Sequence, residues 1–106
     1  MNNVGTLPDF GNFCLTHPWG ETQSPCAQMY DRYQGVQEML PYAKGVSAKS
    51  YDFNEQGEQP LIDYRRLIDI VKKSGFQGYI GIEYEGNTQP EDEGVRKTLT
   101  LLEKYL

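Results

Sequence analysis

Long apolar runs are absent from this sequence of 106 residues. A membrane-spanning helix needs about 20 consecutive apolar residues, so we expect no membrane-embedded segment. Residues 1–5 also lack the basic and then apolar pattern of a secretory signal. We therefore predict a cytoplasmic protein, and the length fits a single domain over residues 1–106.

Cysteine and histidine are scarce, with two cysteines and one histidine in the chain. The spacing of Cys14 and Cys26 fits no tetrahedral zinc site, and two cysteines are too few for a disulfide-rich scaffold. We predict that both are free thiols in a reducing cytosol. His17 lies beside Pro18 and Trp19 in a polar stretch, so we predict a loop residue there rather than a metal ligand.

Basic residues are also few, since 10 lysines and arginines stand against 15 acidic residues and give a formal net charge of −5. Neither half of the chain carries the basic stripe that a phosphate backbone attracts. We therefore expect no nucleic-acid partner for this protein.

What the sequence does contain is a short apolar run, residues 79–86, that includes two acidic residues near its end. Side chains alternate between the two faces of a strand. One face is therefore apolar, and the other carries Gly81, Glu83 and Glu85. A face of this kind suits the rim of a pocket better than a core, although a half-exposed strand with solvated glutamates is the simpler alternative.

The pattern of a strand, a loop and a helix occurs three times along the chain. The predicted strands are residues 4–7, 45–50 and 79–85. The predicted helices cover about residues 26–40, the apolar stripe of residues 61–71 that leads to Gly75, and the chain after a capping box at residues 88–91. In the last helix we expect the buried stripe at Val95, Leu99, Leu102 and Leu106.

Successive strand–helix units imply parallel strands joined by right-handed crossovers, in an open sheet or a closed barrel. In a barrel, the active site is built at the C-terminal ends of the strands. Asp9, Lys49, Glu83 and Glu85 all lie at that end of their predicted strands. We therefore predict that these polar residues meet on one rim and form a site.

The same three segments carry a resemblance to a known family. Residues 4–12 read VGTLPDFGN, residues 45–53 read GVSAKSYDF, and residues 78–85 read GYIGIEYE. In this order, they resemble the C-terminal part of the xylose-isomerase-like TIM barrels, the broad family of sugar phosphate isomerases and epimerases. The resemblance implies an α/β fold of three consecutive βα units with parallel strands, the C-terminal portion of a TIM (β/α)8 barrel.

The resemblance also implies one divalent metal ion, Mn²⁺ or Mg²⁺, at the barrel mouth. Asp9 and Glu83 match two of the family's carboxylate ligands. Ser47 stands where the family has the histidine of a His-x-Lys motif, in which Lys49 is retained, and Asn12 replaces the histidine of an Asp-x-x-His motif. Without these histidines and an upstream glutamate, the two carboxylates would hold a weak, mostly hydrated ion or none.

Proton exchange next to a carbonyl is the family's chemistry, and the resemblance implies catalytic roles for Glu83 and Lys49. Glu83 would be a metal ligand and acid/base. Lys49 would stabilise negative charge on oxygen or, alternatively, form a salt bridge with a rim carboxylate. Carbohydrate contacts are expected from Asn12, Ser47, Trp19 and Glu85. The alternatives are a hydrogen bond between Asn12 and Ser47, and ordinary packing for Trp19.

A complete eight-unit barrel takes about 250 residues, so three units would leave strand edges and apolar surface uncovered. We therefore expect either a truncated chain that lacks its N-terminal barrel half, or a protein that associates with itself or a partner. Little activity is expected from the chain alone. Two alternatives stay open: a non-catalytic half-barrel that binds a carbohydrate or a protein, and an endonuclease-like relative, which the acidic charge and the missing histidines disfavour.

Overall fold

A computed structural model describes residues 3–16 and 26–106 of the chain. In chain order, the regular elements of this part are α1 (Arg32–Met39), a 3₁₀ turn (Leu40–Tyr42), β1 (Val46–Ser50), α2 (Tyr64–Lys73), β2 (Ile80–Tyr84) and α3 (Glu91–Tyr105). None of the helices in these two ranges is both long enough and apolar enough to traverse a bilayer. His17 and Trp19 lie outside the described residues, so the roles expected for them stay predictions.

The two strands lie side by side and run parallel. Val46 is opposite Ile80, and Lys49 is opposite Glu83. Each strand is followed by a helix, so β1 with α2 and β2 with α3 form two βα units of the predicted type. The α/β class and the parallel pairing are confirmed for this part of the chain.

The first of the three predicted strands is not a regular strand. Instead, this segment pairs through two isolated parallel bridges. Thr6 pairs with Ala43, which precedes β1, and Asp9 pairs with Ser47 of β1. Pro8 has no N–H to donate to a ladder, but its C=O accepts from the N–H of Ser47 at 2.9 Å. Three complete βα units are therefore not confirmed, although Asp9 still reaches the edge of β1.

Cys14 and Cys26 form a disulfide bond, so the prediction of free thiols is wrong. The backbone on either side of this bond also pairs, because the N–H of Leu15 donates to the C=O of Gln28 at 2.8 Å. Cys14 and Met29 form an antiparallel bridge there. The predicted helix cannot begin at Cys26, since the residues after it are held in this pairing. Cytoplasmic localisation loses the support of free thiols and stays a prediction.

α1 begins at Arg32, later than predicted. The carboxylate of Asp31 accepts a hydrogen bond from the N–H of Tyr33 at 2.9 Å and caps the helix. An aspartate at this position satisfies a backbone donor that has no partner within the helix. The start of α1 is therefore set by its cap and by the pairing that precedes it.

The sheet has one face that is covered by helices. Val46, Ala48 and Ser50 of β1 are buried on this face. α2 supplies the opposing apolar stripe, whose buried residues are Tyr64, Leu67, Ile68 and Val71. Gly75 follows the helix at a φ of +77°, as predicted for a glycine that ends a helix. The prediction of α2 as an amphipathic helix is confirmed, but the helix begins at Tyr64, so Leu61 of the predicted stripe precedes it and is exposed.

α3 buries a different stripe from the predicted one. Its buried residues are Gly94, Thr98, Leu101 and Leu102, whereas Val95, Leu99 and Leu106 are exposed. Gly94 lies against the ring of Tyr84, where a Cβ would collide. The hydroxyls of Thr98 and Ser50 are 2.7 Å apart in the interior. These two contacts orient the helix, so Leu102 is the one residue of the predicted stripe that is buried.

The predicted capping box before α3 does not form. Pro90 is the N-cap residue, and no side chain in the described ranges caps this helix. Thr88 instead donates its N–H and its hydroxyl to Asp52 Oδ1, each at 3.0 Å. The acidic residues of the first turn are present as predicted, where carboxylates interact favourably with the helix dipole.

Leu67 provides a test of the core. Its side chain is fully buried in α2. We expect Leu67→Ala to lower the free energy of unfolding by about 2–5 kcal/mol, because it removes apolar contacts and leaves a cavity. The matched control is Leu99→Ala, since Leu99 is 48% exposed. Urea denaturation followed by circular dichroism measures both, and equal losses for the two variants would contradict this description of the core.

Candidate active site

A cluster of one ammonium group and two carboxylates lies at the C-terminal ends of the strands. The Nζ atom of Lys49 is 2.9 Å from Glu83 Oε2 and 2.8 Å from Glu85 Oε1. The side chain of Lys49 is 2% exposed, against 53% for Glu83 and 34% for Glu85. The parallel register places Lys49 beside Glu83. Of the two alternatives for Lys49, the salt bridge with rim carboxylates is present.

The charge of Lys49 is fixed by its neighbours. Burial alone would lower the pKa of Lys49. Hydrogen bonds to Glu85 and Glu83 outweigh burial and, together with the negative charge of Asp9, raise the pKa above the ordinary value for lysine. Lys49 therefore stays protonated throughout the physiological pH range. It is a permanent positive charge and not a proton acceptor.

Asp9 is oriented by two hydrogen bonds. Its Oδ1 atom accepts from the N–H of Gly11 at 2.8 Å, and its Oδ2 atom accepts from the hydroxyl of Ser47 at 2.5 Å. A Cβ at Gly11 would collide with the aliphatic part of Lys49. A short turn that Asp9 stabilises therefore packs directly on Lys49. Ser47 uses its hydroxyl for Asp9, whereas the alternative considered above paired it with Asn12.

A cavity of about 330 Å³ opens beside this cluster, and we call it the first cavity. Its lining includes four of the residues predicted for the site, Asp9, Asn12, Ser47 and Glu83, together with the apolar side chains of Leu7, Phe13 and Met39. Asn12 and Glu83 are exposed, so a ligand in the first cavity would meet them before it met the buried Lys49.

A second cavity, of about 340 Å³, is lined by Glu85, the other carboxylate bound to Lys49. It opens between the loops that follow β1 and β2, and its lining includes Tyr51, Asp52, Pro60, Leu61, Glu85 and Asn87. Glu85, which was predicted to contact substrate, belongs to the second cavity rather than to the first. The two carboxylates bound to Lys49 therefore face two different spaces.

Asp52 is a residue that sequence reasoning missed. Its Oδ1 atom accepts from the N–H groups of Asn87 at 2.7 Å and Thr88 at 3.0 Å, and so fixes the loop after β2. Burial would raise the pKa of Asp52, but these hydrogen bonds outweigh burial and hold the pKa below its ordinary value. The signal was available, because Asp52 follows β1 closely at the strand end where sites are built.

A resident metal ion does not fit the side chains of the described chain. Over residues 3–16 and 26–106, no three acidic, histidine or cysteine side chains are grouped to hold one. Asp9 and Glu83 share the first cavity, but each already accepts hydrogen bonds, from Ser47 and Lys49 respectively. The ammonium of Lys49 also repels a divalent ion. The expectation of Mn²⁺ or Mg²⁺ stays a prediction.

Part of the chain is similar to subunits of enzymes that are named for glycosides. A C-glycoside deglycosidase alpha subunit from Arthrobacter globiformis is 36% identical over 50 residues, which is 47% of this chain and 14% of that protein. A C-glycoside deglycosidase alpha subunit from Microbacterium trichothecenolyticum is 37% identical over 48 residues, which is 45% of this chain and 13% of that protein. A 3'-dehydrocarminate deglycosidase alpha subunit from a Microbacterium species is 33% identical over 48 residues, which is 45% of this chain and 14% of that protein.

The similar region spans about 14% of the length of these curated relatives. No protein-family model matches the chain. The chain is thus a partial homologue of carbohydrate-related enzyme subunits, and membership of the xylose-isomerase-like family is not confirmed.

Asp52 leads to a prediction about pH. Because its pKa is lowered in the folded protein, Asp52 contributes stability above its unfolded pKa and loses it as the pH falls through the folded pKa. We expect Asp52→Asn to lower the free energy of unfolding by about 1 kcal/mol at pH 7. Urea denaturation should show this difference shrinking when the pH is lowered toward about 3. Asp69→Asn, at an exposed position on α2, is the control, and a difference that does not depend on pH would contradict the role of Asp52.

The electrostatics of the first cavity lead to a prediction about metal binding. We expect Mn²⁺ to bind with a dissociation constant of about 1 mM or weaker, because two carboxylates must compete with Lys49 for it. Lys49→Met should tighten binding by removing that charge, and Lys73→Met, at an exposed position, should not. Isothermal titration calorimetry measures all three proteins. Micromolar binding by the unmodified chain would contradict our description of the donor set.

Proposed function

We propose that this chain supplies part of the active site of a sugar-processing enzyme that moves a proton next to a carbonyl group. The observation that carries this proposal is the first cavity, where Asp9, Asn12, Ser47 and Glu83 gather beside the permanent charge of Lys49. Proton transfer on a sugar requires groups that bind hydroxyls and an accessible carboxylate. Partial similarity to deglycosidase subunits supports a carbohydrate as the substrate.

The proposed substrate is a glycoside whose sugar ring carries a ketone. One relative is named for a 3'-dehydro glycoside, a compound in which a ketone replaces a hydroxyl of the sugar. A hydrogen on the carbon between that ketone and the anomeric carbon is acidic, because the ketone oxygen takes up the negative charge. A single base in the first cavity is enough to begin the reaction.

Two outcomes of this first step are chemically open. The enolate electrons can form a double bond to the anomeric carbon while the bond to the aglycone breaks. The aglycone then leaves with that electron pair and takes up a proton, which is deglycosylation. If the proton instead returns to carbon from the other face, the result is epimerisation. The isomerase or epimerase activity implied by the family resemblance and the deglycosidase activity of the relatives thus share one initial step.

Glu83 is the proposed base. It lies at the end of β2, lines the first cavity and is 53% exposed, so a substrate can reach it. Lys49 cannot accept a proton, because it stays protonated. Asp9 holds two hydrogen bonds and is better suited to keep Ser47 in place. Asn12 and Ser47 are then the proposed partners of the sugar hydroxyls.

Lys49 and Glu85 have supporting roles in this proposal. When Glu83 turns toward a substrate, Glu85 still holds the ammonium of Lys49, at 2.8 Å. The positive charge thus stays buried and paired while it stabilises negative charge that develops in the adjacent cavity. Since Lys49 already supplies a cation, the reaction proposed here contains no step that depends on Mn²⁺ or Mg²⁺.

A non-catalytic half-barrel that binds a carbohydrate or a protein is the competing function. The observation that favours it is the closed ion cluster, in which both Glu83 and Glu85 are engaged with Lys49. Binding without turnover would leave that cluster intact.

We also propose that further polypeptide completes the sheet. In the described part of the chain, β2 pairs with β1 and with no other strand. Val95 and Leu99 expose apolar surface on α3, at 40% and 48%. Unpaired strand edges and exposed apolar helix surface are typical of an incomplete sheet. The covering polypeptide would be the missing barrel half, a second copy of this chain or another subunit, and the relatives are themselves named alpha subunits.

Deuterium exchange tests the catalytic proposal. The chain is incubated in D₂O with the 3-dehydro form of an aryl C-glucoside, and proton NMR follows the hydrogen next to the ketone. This assay detects proton transfer even when turnover is slow. We expect Glu83→Gln to slow the enzyme-dependent exchange by at least about 100-fold, because the variant lacks the base. Glu103→Gln, at an exposed position on α3, should exchange at the unmodified rate.

Two results would contradict the proposal. If Glu83→Gln exchanged as fast as the unmodified chain, Glu83 would not be the base. If the unmodified chain bound the sugar but caused no exchange above the buffer rate, the non-catalytic half-barrel would be the better description.

A further inference from the structure

The disulfide bond between Cys14 and Cys26 has no part in the proton transfer described above. Both cysteines are half-buried, and Leu15 and Ala27 beside them are exposed. A small thiol can therefore reach the sulfur atoms from solvent. Disulfides that solvent reaches are reduced more easily than buried ones, and this lability is used in regulation. What the bond does for the protein depends on the residues that it holds in place.

The disulfide closes a short antiparallel pairing on the surface. The N–H of Leu15 donates to the C=O of Gln28 at 2.8 Å, and the N–H of Tyr30 donates to the C=O of Phe13 at 2.9 Å. We call residues 13–15 and 28–30 the paired segments. Two strands that pair in isolation are at best marginally stable in water. The paired segments therefore depend on the disulfide, which keeps them close together.

The paired segments also support one wall of the first cavity. Phe13 lines this cavity, and so does its neighbour Asn12. The ring of Phe13 stacks on that of Tyr30, with the ring centroids 6.3 Å apart, and also lies against Gly35 of α1, where a Cβ would collide. Asn12 takes its position from Phe13, because the two residues are consecutive in the chain.

The chain before Asn12 is held by the core instead. Phe10 is fully buried, and its N–H donates to the C=O of Ser47 at 3.0 Å. The C=O of Gly11 accepts from the hydroxyl of Tyr51 at 3.2 Å. These contacts involve neither the disulfide nor the paired segments. Reduction of the disulfide would therefore loosen the cavity wall from Asn12 onward and leave the preceding turn and the core in place.

We infer that Cys14 and Cys26 form a site of reversible thiol modification that controls binding in the first cavity. The oxidised protein holds Asn12 and Phe13 in the cavity wall, and the reduced protein does not. The inference rests on the proposed function for the identity of the ligand, a glycoside whose sugar carries a ketone.

The modification is an exchange with a small thiol such as glutathione. A glutathione thiolate attacks one sulfur atom of the bond, forms a mixed disulfide with that cysteine and releases the other cysteine. A second glutathione thiolate attacks the glutathione sulfur and releases the first cysteine. The protein thus gains two electrons and two protons as two thiols, and two glutathiones leave as one oxidised disulfide. Oxidised glutathione drives the reverse reaction.

Amide hydrogen exchange and sugar binding, each measured by NMR with and without dithiothreitol, test the inference. We expect reduction to speed the exchange of the Leu15 and Tyr30 amides at least about tenfold, because their hydrogen bonds open more often. The amide of Val46, which donates to Tyr79 at 3.1 Å, should exchange at an unchanged rate. The affinity for the 3-dehydro form of an aryl C-glucoside should fall at least about tenfold and return when oxidised glutathione restores the disulfide.

A double variant separates loss of the bond from other effects of dithiothreitol. Cys14→Ser with Cys26→Ser should bind the sugar as weakly as the reduced chain, and dithiothreitol should not change its affinity. Leu15→Ser is the matched control, because it places a serine in the same pairing, at a position that is 61% exposed, and keeps the disulfide. It should bind like the unmodified oxidised chain.

Three results would overturn the inference. Equal affinities of the oxidised and reduced chains would show that the disulfide does not control the cavity. A disulfide that stays intact in millimolar glutathione would not be a site of reversible modification. Loss of the helical circular dichroism signal on reduction or in the double variant would show that the bond supports the whole fold.

The deuterium exchange assay at the sugar distinguishes this inference from the proposed function. If reduction weakens sugar binding while Glu83→Gln leaves deuterium exchange unchanged, the redox site stands and the catalytic proposal falls. If deuterium exchange depends on Glu83 but neither it nor sugar binding responds to reduction, the redox inference alone falls.

Discussion

The pairing of one buried ammonium group with two carboxylates organises the open end of this sheet. A lysine that is 2% exposed keeps its charge only if nearby anions offset the cost of burial, and Glu83 in β2 and Glu85 just after it do so. The turn at Asp9 and Gly11 packs on the same lysine. Two cavities share this cluster, with Glu83 in one and Glu85 in the other. A change at Lys49 would therefore affect both.

Side chains alternate along the two short strands, so one face of the sheet packs against the helices and the other carries residues of the proposed site. Val46, Ala48 and Ser50 of β1 are buried on the helix side, where the hydroxyl of Ser50 meets α3. Ser47 and Lys49 lie on the opposite face, with Glu83 of β2. The helix-covered face holds the fold together. The other face carries Ser47, Lys49 and Glu83, and Asp9 reaches it through its bridge to Ser47.

Local patterns predicted some elements well and others poorly, for physical reasons. α2 was predictable because its apolar residues recur at helical spacing and a glycine at positive φ follows it. The start of α1 was not, since it depends on a disulfide and on pairing with residues far away in sequence. The orientation of α3 depends on Gly94 and Thr98, which are small rather than apolar. The spacing of apolar residues therefore predicted the wrong buried face of α3, because tertiary contacts outweigh periodicity.

The sequence by itself determined that Asp9, Lys49 and Glu83 lie at the same end of successive parallel segments, because strand direction and side-chain alternation follow from local spacing. It also suggested a carbohydrate-related enzyme through resemblance to a family, a suggestion that the partial relatives support in its broad form. Only the tertiary structure decided that Lys49 is buried against two carboxylates and that these carboxylates line two different cavities. Those features depend on register, on loop closure by Asp52 and on burial, and each of them arises from contacts between residues distant in sequence.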